Sequence, residues 1–320
     1  MTKDLFFTEV KTEESDWKIT HKDKILLIGS CFTDEIGFKF EQSGFNIMKN
    51  PFGVVYNPVS IAELLERCSQ KRHFTASDVI QSGEYYYLFA AHGDVRGKTV
   101  GECLEKANQI TDTVHDYLKS TSVVVITLGT AWSYWYKEGN VLMANCHKIP
   151  QKFIDRRILT VEEIEVSLNG LILTLRYHLN KDTKFIFTLS PVRHIKEGLQ
   201  DNNLSKSTLT LAMHRVVKEN ADVDYFPSYE IVTDELRDYR FYAKDLVHVN
   251  ETTVDYIWQR FSQTYFSQRT KELNGRYVKL YLMKNHRPIN PDSEGYKKHC
   301  EKIRQEEEKI KDLENKADNL

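Results

Sequence analysis

The seven residues Ser122-Val123-Val124-Val125-Ile126-Thr127-Leu128 constrain the fold more than any other stretch of this chain. The run is β-branched and does not alternate with polar residues. A strand like this is buried on both faces, the signature of a parallel sheet. Parallel neighbours need long crossovers, usually helical. Lys24–Ile28 ending at Gly29, and Lys184–Leu189 closed by Pro191, read as further buried strands; Phe45–Met48 and Val223–Phe226 read as shorter ones. Helical periodicity fills the gaps: Thr33–Gln42 ended by Gly44, Val59–Cys68 with Asn57 as N-cap and Pro58 at its first position, Gly101–Lys119, Val161–Leu179, Leu204–Asn220 and Thr252–Phe266. Such alternation predicts an α/β layered domain with a mostly parallel sheet. Tyr85–Phe89 is strand-like, and Trp132–Tyr136 with Val141–Ala144 predicts a hairpin around Glu138-Gly139-Asn140. Ser293–Leu320 is charged, with a thin apolar stripe (Ile303, Ile310, Leu313), and reads as a solvated helix or frayed end. The expected organisation is one α/β domain over 1–290, its core at about 20–262, and a charged helical tail over 291–320.

Charge removes several function classes. The 44 Lys+Arg against 46 Asp+Glu give a net charge of -2, without the cationic surplus that a nucleic-acid-binding protein needs. No apolar run approaches the roughly 18 residues of a membrane span, and the first residues lack the apolar core of a signal peptide. Five scattered cysteines without a CxxC pair predict a reduced, cytoplasmic setting. There is no G-x-G-x-x-G for a dinucleotide, and no cofactor is expected. His92–Thr99 imitates a phosphate loop but has His92 where its first glycine belongs, so it reads as a surface turn. No H-E-x-x-H and no cysteine pairing marks a metal site; Cys146-His147 with His194 or His248 is the weak remainder. The oligomeric state is not legible.

In parallel sheets ligands sit beyond the carboxyl ends of the strands. There the sequence places Gly29-Ser30-Cys31-Phe32-Thr33, Gly129-Thr130-Ala131-Trp132 and Ser190-Pro191-Val192-Arg193-His194, with Asp245-Leu246-Val247-His248 late in the chain. A thiol in a strand-to-helix turn faces the positive end of the helix dipole, which favours its thiolate. The bland reading of Cys31 is a small buried hydrophobe. Asp245 three residues before His248 can accept the ring N–H and fix the tautomer of a general base. The same spacing recurs as Asp112 and His115 inside a helix, so context alone favours the later pair.

These segments together resemble the GSCFA family, a branch of the SGNH/GDSL hydrolase superfamily. The family's name is nearly spelled by Gly29-Ser30-Cys31-Phe32-Thr33. Further matches are Asn50-Pro51-Phe52-Gly53, Tyr56-Asn57-Pro58, Leu128–Trp132, Asn145-Cys146-His147-Lys148, Ser190–His194, Asn203-Leu204-Ser205-Lys206, Tyr225–Glu230 and Leu236–Tyr242, covering roughly residues 20 to 262.

The resemblance implies a flavodoxin-like three-layer α/β/α sandwich of SGNH type. It also implies acyl-ester hydrolysis or acyl transfer on a small-molecule or carbohydrate ester; the charge balance and the absence of a long apolar run add the expectation of no nucleic-acid or membrane partner. Laying the superfamily's Gly-Asp-Ser over Gly29-Ser30-Cys31 puts Cys31 at the nucleophile; a register shifted by one makes it Ser30. His248 and Asp245 then complete the catalytic set. The superfamily's Gly-x-Asn-Asp block is here Gly129-Thr130-Ala131-Trp132, without the oxyanion-hole asparagine. Asn57, Asn145 or His147 is left to replace it, together with the N–H groups of Cys31 and Gly53. The proline that often follows the histidine is Val249 here. Arg193 and His194 are placed to contact an anionic or sugar-like part of the substrate, or to anchor their own loop. Alternatives are an acyltransferase using a thioester donor, and an inactive carbohydrate-binding module offering Trp132, Tyr134, Trp135 and Tyr136.

Overall fold

A computed structural model describes residues 8–315 except 179, 197 and 291; the expected helix end at Leu179 and both chain termini lie outside these. In chain order the elements are β1 (Lys24–Gly29), α1 (Cys31–Gln42), β2 (Asn46–Lys49), α2 (Pro58–Ser69), β3 (Val79–Ser82), β4 (Tyr85–Leu88), β5 (Arg96–Gly97), α3 (Val100–Leu118), β6 (Val123–Leu128), β7 (Trp132–Tyr136), β8 (Val141–Met143), β9 (Ile154–Ile158), α4 (Val161–His178), β10 (Lys184–Leu189), α5 (Leu199–Glu219), β11 (Val223–Phe226), α6 (Ser228–Glu230), α7 (Glu251–Tyr265), α8 (Gln268–Lys284) and α9 (Glu294–Asn315).

The central sheet runs β11-β10-β6-β1-β2, and every pairing in it is parallel. The Val-rich run is β6, the middle strand, with all its residues buried. Its side chains alternate between two cores. Val124, Ile126 and Leu128 join Leu26, Ile28, Phe185 and Phe187 beneath α2, α3, α4 and α5. Val123 and Val125 join Ile25, Leu27 and Ile186 beneath α1 and α7. Helices thus cover both faces, giving three layers around a five-stranded parallel sheet.

Two small antiparallel sheets sit beside this frame, β3-β4-β5 and β8-β7-β9. The predicted hairpin is β7–β8. Its third strand, β9, reads Ile154-Asp155-Arg156-Arg157-Ile158, with its three middle residues exposed, and so lacks the apolar signal of a buried strand.

The tail departs from a solvated helix. α9 packs antiparallel on α8 through Leu273, Leu280 and Ile310. Glu306 on α9 is 3% exposed and accepts Arg276 and Lys279 of α8, each at 2.9 Å. Tyr277 donates to Glu314 at 2.6 Å. A narrow apolar stripe suffices here because the ion pairs close over it.

Candidate active site

Strand order reverses between β1 and β6: the chain moves outward from β1 to β2, then returns to lay β6 on the other side. The crevice at such a switch point is where open α/β sheets bind ligands. The turn Gly29-Ser30-Cys31 lies there, and its shape is over-determined. A Cβ on Gly29 would lie 2.2 Å from the Thr127 carbonyl oxygen, and φ is +151°, so only glycine fits. Gly29 N–H donates to Asn50 Oδ1 (2.9 Å), and Asn50 Nδ2 donates to Asp34 in the first turn of α1 (2.9 Å). Asn50 therefore clamps the strand to the helix that carries Cys31.

Ser30 is the N-cap of α1, yet its hydroxyl makes no capping bond. Instead it donates to Ser190 Oγ at 2.9 Å, and both serines are buried. Of the first-turn N–H groups that a capping serine would otherwise satisfy, that of Thr33 is bonded to the Ser30 carbonyl at 2.8 Å. Those of Cys31 and Phe32 favour a charged sulfur on Cys31. Burial outweighs them and pushes the Cys31 thiol up, with Asp34 and Glu35 pushing the same way. The dipole argument for an easily formed thiolate therefore does not suffice alone.

The Ser190 loop ties the late D-x-x-H segment to this rim. Ser190 Oγ accepts Val192 N–H at 3.3 Å, and Arg193 N–H donates to the Val247 carbonyl at 3.2 Å. Asp245 accepts the His248 ring Nδ1–H at 2.7 Å and the backbone N–H of Val247 and His248 at 2.9 and 3.0 Å. Chiefly the Val247 N–H, then the His248 ring, hold the Asp245 carboxyl down to about 2. The carboxylate fixes the histidine tautomer so that Nε2 carries the lone pair. The helical copy behaves otherwise: Asp112 meets His73 at 2.8 Å, while His115 Nδ1 donates to the Cys68 carbonyl.

Several other sequence candidates hold the rim together instead of facing a ligand. Asn57 caps α2 by accepting Val59 and Ser60 N–H, and its amide donates to the Trp132 carbonyl at 3.1 Å and the Thr130 carbonyl at 3.5 Å. Both ends are occupied, so it does not replace the missing oxyanion asparagine here. His147 donates Nε2–H to the Leu88 carbonyl at 2.9 Å and stacks on Tyr87. Burial lowers it to about 4, so at neutral pH its Nδ1 has no proton to donate. Gly53 N–H is bonded to the Asn50 carbonyl, and a Cβ there would strike His92 at 2.4 Å. Asn145 Oδ1 accepts His147 N–H at 2.9 Å.

The block after β6 is held likewise. Gly129 donates to the Tyr56 carbonyl, and a Cβ on it would strike the Tyr56 side chain at 2.8 Å. The Thr130 hydroxyl meets Ser205 Oγ at 3.0 Å and accepts Trp132 N–H at 3.1 Å. His194 N–H donates to Asn202 at 2.8 Å. Arg193 stacks over Tyr242 at 4.5 Å and Tyr239 at 5.3 Å.

Lys206 is the site residue that motif reading left without a role. It is 1% exposed and donates to the Ser190 carbonyl at 2.7 Å. Burial draws it down to about 7, and the one charge opposing that shift is Cys31. The signal was present: Lys206 interrupts the buried stripe Asn202, Ser205, Leu209, Met213 and Val216 of α5.

Three of the four β7 rings proposed as a sugar platform have a cation over them, Arg156 over Trp132 (4.1 Å), Arg157 over Trp135 (4.7 Å) and Lys196 over Tyr134 (5.0 Å), and the fourth, Tyr136, packs on Phe89 at 5.6 Å. Among the described residues no three His, Cys, Asp or Glu side chains converge as metal ligands, no helix is long and apolar enough to cross a membrane, and the five cysteines are free thiols. No curated protein matches the sequence. The family model for GSCFA matches residues 24–261, spanning the sheet, the Gly-Ser-Cys turn and the Asp245–His248 pair. This chain belongs to the GSCFA family.

Proposed function

We propose that the chain is an SGNH-type acyl-ester hydrolase with Cys31 as nucleophile, His248 as general base and Asp245 as its orienting carboxylate. One observation supports this above the others. The loop that anchors Ser30 through Ser190 is bonded to Val247, so a carboxylate-held imidazole and a thiol at an uncapped helix terminus share one rim of the sheet. Ser30, buried and donating to Ser190, is the weaker nucleophile candidate.

In this reading His248 Nε2 takes the Cys31 proton and the thiolate adds to the acyl carbonyl. The oxyanion so formed faces the first-turn N–H groups of α1, which stand in for the absent asparagine. The imidazolium returns the proton to the leaving alkoxide, and a thioester remains on Cys31. Water, deprotonated by His248, adds to that thioester; the acid leaves and the thiol is restored. Arg193, held over two tyrosine rings, presents positive charge to an anionic or sugar-like substrate. With a sugar hydroxyl in place of water, the same steps describe a transferase. The free thiols suit a reducing, cytoplasmic compartment.

The test is intact-mass spectrometry after exposure to p-nitrophenyl acetate. An acetyl adduct is expected on the wild type and on Ser30→Ala, absent from Cys31→Ala, and turning over slowly in His248→Ala. An adduct that survives Cys31→Ala, or no adduct on any form, overturns the proposal.

A further inference from the structure

Helix α4 carries one apolar stripe toward the core and a second away from it. Ile164, Leu168, Leu171, Ile172 and Leu175 are buried, whereas Val166, Leu173 and Tyr177 are 74%, 67% and 85% exposed. Spacings of seven and four put these three on one helix face. Gly170 stands among them, with nothing within 4 Å of where its Cβ would lie. A mid-helix glycine costs stability, and close packing across it is the usual return. Beside the stripe, a groove of about 570 Å³ runs between α2 and α4. Ala62 and Leu159 give it apolar surface, and Glu63, Glu66, Glu162 and Glu163 give it acids; among the described residues Arg157 is the one cation lining it. Glu162 and Glu163 open α4, while Tyr177 and His178 close it and Lys181 follows. A contiguous exposed apolar row rimmed by charge marks an interaction surface.

We infer that a second copy of this chain covers this surface: two α4 helices cross antiparallel at Gly170, and each Tyr177 enters the α2–α4 groove of the other copy. The spacing along the helix closes the arrangement. Position 170 is the midpoint of 163 and 177, so a two-fold axis at Gly170 sets the acid-lined end of each α4 against the Tyr177 end of the other. Val166 then lies beside Leu173 of the second copy, and the glycines let the two backbones approach. Charge selects this occupant. A parallel crossing would set Glu162 and Glu163 against themselves. The antiparallel crossing sets them, with Glu63 and Glu66 of the groove wall, against Lys181 and the His178 ring, which packs edge-on to Tyr177 at 4.9 Å. Glu162 and Glu163 keep their own pairs with Arg215 and Arg157, each at 3.6 Å, which holds the wall in place. A foreign basic segment would satisfy the groove but leave Leu173 and Tyr177 bare. A second copy covers groove and stripe together, by one contact made twice. This pairing does not rest on the hydrolase reading.

Sedimentation velocity of the full chain, at concentrations from about 1 to 100 µM, reads the association. The wild type is expected to approach twice the 37.5 kDa of one chain. Tyr177→Ala is expected to raise the dimer dissociation constant about tenfold or more, as removal of an aromatic anchor from a pocket does. Gly170→Gln tests the crossing. Within one copy it enters open space and replaces glycine by a better helix former, so the variant is expected to fold at least as stably as the wild-type monomer. Between copies it holds the helices apart, and the chain is expected to sediment as a monomer. A wild type that stays monomeric over the whole range overturns the proposal and leaves the groove to a foreign segment. A dimer that Tyr177→Ala or Gly170→Gln leaves unchanged uses another face, and overturns it equally.

Discussion

His147 provides a pH-dependent test of how the rim is built. Its ring is 5% exposed, spends Nε2–H on the Leu88 carbonyl, and is lowered by burial from 6.5 to about 4. The folded protein therefore binds this proton less readily than the unfolded chain. Between pH 6.5 and 4 the unfolded state carries the extra proton, so stability falls as pH drops through that window and is fully retained above it. At about 1.4 kcal/mol per pH unit, the full window is worth ~3 kcal/mol, and the step from pH 7 to pH 5 is worth ~2 kcal/mol. The perturbation is His147→Gln, which can donate to Leu88 but does not titrate. Urea denaturation at pH 7 and pH 5, with a common m-value, measures both proteins. The wild type is expected to lose ~2 kcal/mol more than the variant over this step. The His21 ring, also lowered by burial, is common to both and cancels. Equal losses in the two proteins would refute the assignment of His147 as a buried neutral strut and return it to the pool of ligand-facing donors.

Two further substitutions test the rim's rigidity. Gly29→Ala places a Cβ against the Thr127 carbonyl and is expected to cost on the order of 3 kcal/mol or more; an unchanged melting temperature would sink the close-approach argument. Asn57→Ala removes the cap of α2 and the donor to the Trp132 carbonyl, with an expected loss of about 2–3 kcal/mol. Asn57→Asp, which keeps the cap acceptor, is expected to lose less, and equal losses in chemical denaturation would show that the cap contributes nothing.

The parallel sheet was legible because β6 is both its middle strand and its most apolar one. β1 and β10 follow for the same reason, since a strand buried on two faces announces itself in composition. β9 did not, because a strand with an exposed middle has no apolar pattern to read. α8 was missed because two of its four buried residues, Thr270 and Asn274, are polar, leaving Leu273 and Leu280 as its buried apolar positions. At the rim, motif spacing located the right loops but not the duty of each side chain. Asn57 and His147 are polar residues of the expected type, and nothing local distinguishes a donor aimed at a ligand from one aimed at a carbonyl many residues away. Lys206 shows the converse: a cation on an apolar stripe is visible in sequence, but only the fold shows that its ammonium is bonded to the Ser190 carbonyl of the loop after β10.

The distribution of polar groups itself argues for where chemistry can occur. Around the switch point the hydroxyls of Ser30, Thr130, Ser190 and Ser205 and the amides of Asn50 and Asn57 are bonded to one another or to backbone. Such a lattice costs conformational freedom, and its return is a fixed frame. Within that frame stand the Cys31 sulfur, favoured in its charged form by the Cys31 and Phe32 N–H groups, and the imidazole that Asp245 holds. Rigidity concentrated around a few polar atoms is what preorganised catalysis requires. An N-cap serine ordinarily bonds the N–H groups of its own helix. The Ser30 hydroxyl is instead drawn away to Ser190, leaving the helix terminus without a side-chain cap beside the thiol.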